Sequence, residues 1–225
     1  MKKISLLLVS LFCVFLFAGC GGQSLAVKEL GTSPVAMQTV TIPDPYRSAM
    51  SYQLSIPEDW SCGTPTSHQI IAGFQDIADR SDFVGDLQSY VRIANYMDGA
   101  HSGAKSAHEK LFKGDTQGFE KWLNEDSAKE SEIQYRGTYS DVQCTNVYQG
   151  THGKIYEVEY RNTYQDSKGS SGYRILSYYR DDSPYYVMVT LGSSRTNDVP
   201  QTERPFRAQD VALWVADSFE VQVAD

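Results

Sequence analysis

The sequence predicts an α+β domain, an antiparallel sheet meander with helices packed on its faces. Three observations carry this expectation. Residues 155–164 alternate, with Tyr156, Val158 and Tyr160 on one side and Glu157, Glu159 and Arg161 on the other, the period of a half-buried strand. Two further apolar runs, 173–180 and 185–191, follow after connections too short for a crossover, so these neighbours must be antiparallel. Near the C-terminus, Val211, Trp214, Val215 and Phe219 recur at helical spacing and offer a stripe to pack on the sheet.

In chain order, the first segment is basic and then apolar. Lys2 and Lys3 precede an apolar stretch from Ile4 to Ala18, followed by Gly19 and Cys20. That is the anatomy of a secretory signal peptide over residues 1–19. The apolar run of about 15 residues falls short of a ~30 Å hydrocarbon core, which disfavours the alternative of an uncleaved anchor helix. Residues 20–45 carry Gly21, Gly22, Gly31, Pro34, Pro43 and Pro45 without sustained periodicity and read as a flexible tether.

Residues 46–225 then form one globular domain, consistent with 225 residues in all and 41% apolar content. A strand at 52–56 alternates strictly and stops at Pro57. Strands are expected at 69–74 and 89–97, and a short helix at 104–112 ended by Gly114. A second helix is expected at 116–129, capped by Asp115 or Thr116, with Phe119, Trp122 and Leu123 on its apolar face. The polar stretch 165–171 reverses the chain, and Asp181-Asp-Ser-Pro184 turns it again. The strand at 185–191 is apolar on both faces, the mark of a central strand covered on two sides. Residues 207–219 supply the closing helix.

Charge excludes one class of partner. A net charge of −8 with a pI near 5.0 and no basic run does not fit nucleic-acid binding, which needs clustered Lys and Arg. Catalytic signals are thin. His68, His101, His108 and His152 have no HExxH or paired-cysteine context and read as ordinary surface histidines. No Gly-x-Ser-x-Gly elbow or Ser-x-x-Lys occurs, and Gly169-Ser-Ser-Gly172 lacks the spacing of a phosphate loop. The sequence therefore names no catalytic, metal or cofactor residue. Glu157 and Glu159 read as solvated neighbours on one strand face. Of fifteen tyrosines, eight fall between Tyr156 and Tyr186, and half-buried core tyrosine is favoured over a partner-binding face.

The segment Leu16-Phe17-Ala18-Gly19-Cys20 resembles the lipobox of bacterial lipoproteins. By that resemblance the chain is cut before Cys20, whose sulfur carries diacylglycerol, with further acylation such as palmitate at the new amino terminus. Two or three acyl chains, at about 0.8 kcal/mol per buried methylene, suffice to hold a protein at a bilayer. Loss of Lys2 and Lys3 takes the net charge from −8 to −10, so the lipid rather than a polybasic patch must anchor it. The implied location is the extracytoplasmic face of an envelope membrane, inner or outer.

Export leaves Cys62 and Cys144 in an oxidising compartment, and an even remainder of two predicts one disulfide, with two unpaired buried thiols as the alternative. Such a bridge would close a loop of about 80 residues and stabilise by roughly 4 kcal/mol on the chain-entropy account. Neither cysteine has a neighbouring basic residue to activate it, and two cannot complete a zinc site.

The opening Tyr52-Gln-Leu-Ser-Ile-Pro-Glu-Asp-Trp60 and the ending, where Tyr185-Tyr-Val-Met-Val-Thr190 leads to Asp217-Ser-Phe219, are similar to PsbP/Mog1-like domains. That resemblance implies a sheet with helices on its faces and transfers no catalytic residue. The functional expectation is a non-catalytic binding domain whose partner is an envelope protein or cell-wall component. The alternatives are an envelope hydrolase with a dispersed site and, last, the solute-binding subunit of a transporter.

Overall fold

A computed structural model describes residues 25–66, 69–74, 90–96, 103–125, 137–166, 169–193 and 206–224. Eleven strands lie among these residues. They are β1 (Val27–Glu29), β2 (Met37–Pro43), β3 (Met50–Pro57), β4 (Trp60–Cys62), β5 (Gln69–Phe74) and β6 (Tyr90–Asn95), then β7 (Thr138–Gln149), β8 (Lys154–Asp166), β9 (Gly169–Arg180), β10 (Tyr185–Ser193) and β11 (Glu220–Val223). The helices are α1 (Ala104–Phe112), α2 (Thr116–Leu123) and α3 (Ala212–Ser218), the last preceded by a 3-10 turn at Ala208–Asp210.

Eight strands form one mixed sheet in the order β1-β7-β8-β9-β10-β6-β5-β4, and three form a second sheet, β11-β3-β2. Every pairing is antiparallel except β1 with β7, where Val27 lies opposite Val147 in parallel register. This overturns the predicted α+β sandwich. The chain is mostly β, its helices span only 7 to 9 residues, and a second sheet joins α3 in covering one face of the large sheet. The PsbP/Mog1-like architecture inferred from the sequence falls with it.

The physical reasons can be read element by element. β7 is polar, and register shifts at Ser140/Gln143 and Cys144/Asn146 break its alternation, with Asp141 at φ 59 in the first bulge. Each bulge flips the side-chain parity, so the buried residues Tyr139, Val142 and Val147 do not fall on a period of two. The segment 20–45 was expected to be tether, yet it contains β1 and β2. β2 pairs with β3 over seven residues and turns Val40 and Ile42 into the core. The expected helix 207–219 is interrupted, because Val211 at φ −122 separates the 3-10 turn from α3 and strand β11 begins at Glu220. Helix α2 has the predicted cap, Asp115 accepting from Gly118 N at 2.8 Å, but ends at Leu123. There Asn124 turns its amide to Glu120 O and Tyr139 O and accepts from Tyr139 N, which docks the helix on β7.

The large sheet is buried on both sides. One core joins Leu54 and Ile56 of β3, Val211, Val215 and Phe219 around α3, and Ile93, Ile155, Val187 and Val189 of the sheet. The opposite core joins Leu111, Phe119 and Leu123 of α1 and α2 to Tyr139, Val158, Ile175, Tyr179 and Met188. Strand β10 contributes to both, as expected of a central strand.

Arg180, 6% exposed, ties α3 to the sheet. Its Nη1 donates to Ala216 O, Asp217 O and Phe219 O at 3.1, 3.2 and 2.6 Å. Its Nε and Nη2 form a fork with both carboxylate oxygens of Asp182 at 2.9 and 2.6 Å. A cation on the free carbonyls of a helix C-terminus also matches the helix dipole.

Candidate functional site

The turn between β2 and β3 builds a small polar notch against the large sheet. Asp44, 9% exposed, accepts from Tyr46 N at 2.8 Å and Arg47 N at 3.0 Å, the local pattern by which aspartate closes a turn. Its other oxygen accepts from Tyr52 Oη at 2.5 Å. These donors, Tyr52 first, hold the Asp44 carboxyl below its ordinary range against the opposing cost of burial. Burial and the same carboxylate push the Tyr52 hydroxyl upward, so it stays a donor. The Tyr52 ring is fixed edge-on to Tyr185 at 6.2 Å and stacked on Phe219 at 5.9 Å.

The notch holds about 50 Å³ between Asp44, Arg47, Tyr52, Gln69, Asn95 and Tyr185. That is well under the roughly 300 Å³ of a pocket that encloses a small molecule. At its rim Tyr46 is 69% exposed. An exposed aromatic ring beside a cation, a carboxylate and two amides suits contact with a polar polymer or a protein loop.

A second polar cluster lies on the same side of the large sheet, centred on Glu157. Its Oε1 accepts from Thr145 Oγ1 at 2.6 Å and Asn146 Nδ2 at 2.5 Å. Its Oε2 accepts from Tyr148 Oη at 3.3 Å and Tyr178 Oη at 3.2 Å. Burial, then the Glu157 charge, raises both phenols, which remain protonated donors. Lys28 of β1 bonds Asn146 and lies 5.9 Å over the Tyr148 ring. Four hydrogen bonds use the carboxylate oxygens in structure. Neighbouring Glu159 pairs with Arg174 at 3.4 Å. The solvated pair expected from the sequence is thus half-buried and engaged.

The sequence-predicted residues fall elsewhere. Cys20 and its surroundings, residues 1–24, lie outside the described residues, as do His68 and His101. The predicted Cys62–Cys144 disulfide is corrected, since both are free and half-buried. Cys62 is on β4 and Cys144 on β7, with five strands between them. At about 4.8 Å per strand step, that separation cannot be spanned by a bond needing Cα atoms within ~7 Å. They also pack against opposite cores. Burial pushes the Cys62 thiol up to about 12 and the Cys144 thiol up to about 11, the latter with help from Glu157.

Of the histidines expected at the surface, His152 is there, 2.8 Å from Glu220. His108 is not. It is 1% exposed, stacked on Tyr96 at 3.6 Å, with Phe119, Trp122 and Tyr179 around it and Nδ1 2.7 Å from Ala104 O. The tyrosines of the meander divide as the core reading expects. Tyr156, Tyr160, Tyr178, Tyr179 and Tyr186 are buried, while Tyr164, Tyr173 and Tyr185 are half-buried.

Among the described residues, no three His, Cys, Asp or Glu side chains converge as a metal site. No helix among them is long and apolar enough to cross a membrane. The chain matches no protein-family model and no curated protein in the comparisons made.

Proposed function

We propose that this chain is a bacterial envelope lipoprotein, held by acylated Cys20 at the extracytoplasmic face, whose β domain acts by binding an envelope protein or cell-wall component. The observation that carries the anchor is the run Leu16-Phe17-Ala18-Gly19-Cys20 behind a basic start and a short apolar stretch. Support for binding over catalysis comes from the carboxylates. Three donors hold the Asp44 carboxyl below its ordinary range, and the two Glu157 oxygens accept four hydrogen bonds from side chains of the domain, so both carboxylates are engaged in holding the structure. The exposed Tyr46 beside Arg47 offers the contact point.

Two measurements test this. Cells fed a palmitate analogue should label the chain, and equal labelling of Cys20→Ala would refute the anchor. A photo-crosslinking residue at position 46 should capture one envelope partner in intact cells, with capture lost when Arg47 is replaced by glutamate. Capture that is unselective and indifferent to Arg47 would refute the contact site.

A further inference from the structure

The notch between the β2–β3 turn and the large sheet has a distinct floor, wall and rim. On β6, Ile93 lies opposite Ile70 of β5, and Asn95 lies opposite Tyr185 of β10. Residues two apart on a strand share a face, so these four side chains stand on the same side of the large sheet. Ile70 and Ile93 belong to the core beneath the small sheet, and Tyr185 packs against it, which makes this the side the notch opens on. The two buried isoleucines give the notch an apolar floor. Asn95 brings a carboxamide, with two donor hydrogens and an acceptor oxygen, to the wall above them.

The rest of the wall is a set of hydroxyls that leads to a charge. Tyr52 donates to Asp44 at 2.5 Å, and Tyr185 lies near enough to Tyr52 to raise its hydroxyl further. A ligand hydroxyl bonded to Tyr185 extends that set, and links that end on a carboxylate polarise one another. At the rim, Tyr46 exposes its ring while its N–H is fixed on Asp44, so the aromatic residue is anchored at the mouth.

We infer that the notch receives the acetamido group of a 2-acetamido sugar in the cell-wall glycan, which rests on the binding role proposed above and names its ligand. The acetamido methyl sits on Ile70 and Ile93, and its N–H and C=O meet the Asn95 carboxamide. The C–H face of the pyranose lies on the Tyr46 ring, whose face is negative. At about 50 Å³ the notch has room for a few waters, which fits one acetamido group and not a whole sugar ring. A protein loop offers the same amide, but its chain continues on both sides. The isoleucine floor closes the notch below and suits an amide that ends in a methyl. A chain with net charge −8 also disfavours polyanions, which leaves a neutral sugar.

Calorimetric titration of the full chain in detergent compares chitotetraose with cellotetraose, which has the same β-1,4 backbone and a hydroxyl in place of each acetamido group. Chitotetraose should bind saturably, and cellotetraose about tenfold more weakly or worse. Tyr46→Ala, at an exposed position, should weaken chitotetraose about three- to tenfold. Asn95→Asp, with its fold checked by circular dichroism, should remove the preference between the two sugars. Equal affinity for both, or chitotetraose affinity unchanged in Tyr46→Ala, overturns the site. The crosslinker at position 46 keeps this inference apart from the binding role. Selective capture of an envelope protein that chitotetraose does not displace overturns the glycan and leaves the binding role standing, whereas unselective capture with no sugar binding removes both.

Discussion

Replacing Arg180 with alanine removes five hydrogen bonds at once, three to the carbonyls of Ala216, Asp217 and Phe219 and two to Asp182. Breaking a buried charged pair from one side costs about 3–5 kcal/mol. Asp182 is 32% exposed in its side chain and can regain water, which favours the lower end, about 3 kcal/mol. For a domain of this size that lowers Tm by about 6–12 °C. Urea unfolding followed by circular dichroism at neutral pH measures it, with Arg180→Lys recovering little because ammonium cannot reproduce the fork. The acid limb supplies a second reading. Hydrogen bonding to Arg180 lowers the Asp182 carboxyl below its ordinary 3.8. Its stabilising contribution is therefore complete above 3.8 and lost as pH falls through the lower folded-state value. Arg180→Ala should erase that part of the acid dependence. A loss below about 1 kcal/mol, with the acid limb unchanged, would show that α3 is held by its apolar stripe alone.

Three more outcomes follow from the geometry. With Cys13 and Cys20 replaced by serine, Cys62 and Cys144 should react slowly with a thiol reagent at neutral pH when folded, and both should titrate in guanidinium without reductant; absence of free thiols there would restore the disulfide. Asn124→Ala should destabilise by about 1–3 kcal/mol in chemical unfolding, since it strips partners from Glu120 O, Tyr139 O and Tyr139 N, and a neutral result would mean water substitutes fully. Tyr52→Phe should let the Asp44 carboxyl rise toward 3.8, which a carboxyl-resolved NMR titration would show. Stability from Asp44 is present above 3.8 and lost on acidification through its folded-state value, so the variant should be less stable at neutral pH and less sensitive to acid.

Strands with unbroken alternation were legible in the sequence. β5 and β8 to β10 fall within a few residues of expectation, because one face is apolar and the other is polar or a second core. β7 was not legible, since its bulges hide three buried residues behind a polar composition. β1 and β2 were hidden by the glycines and prolines that flank them, although Val40 and Ile42 do alternate. His108 shows a different limit. A lone histidine on a short helix looks solvated until residues distant in sequence, Tyr96 and Tyr179, close over it. The notch was invisible for a similar reason, as only Asp44, Tyr46 and Arg47 are local. Its one sequence signal was an aspartate two and three residues ahead of the amides it accepts.

The docking of β1 against β7 sets a leash length. Val27 is seven residues after Cys20, and a fully extended chain covers at most about 3.6 Å per residue, so roughly 25 Å separates that sulfur-bearing residue from the sheet margin at full stretch. A protein lipidated at Cys20 would ride close to its bilayer like a moored hull, with the Lys28 side of the sheet turned toward the headgroups. It would meet only ligands that come down to the membrane, and could not reach out across a wide compartment to find them.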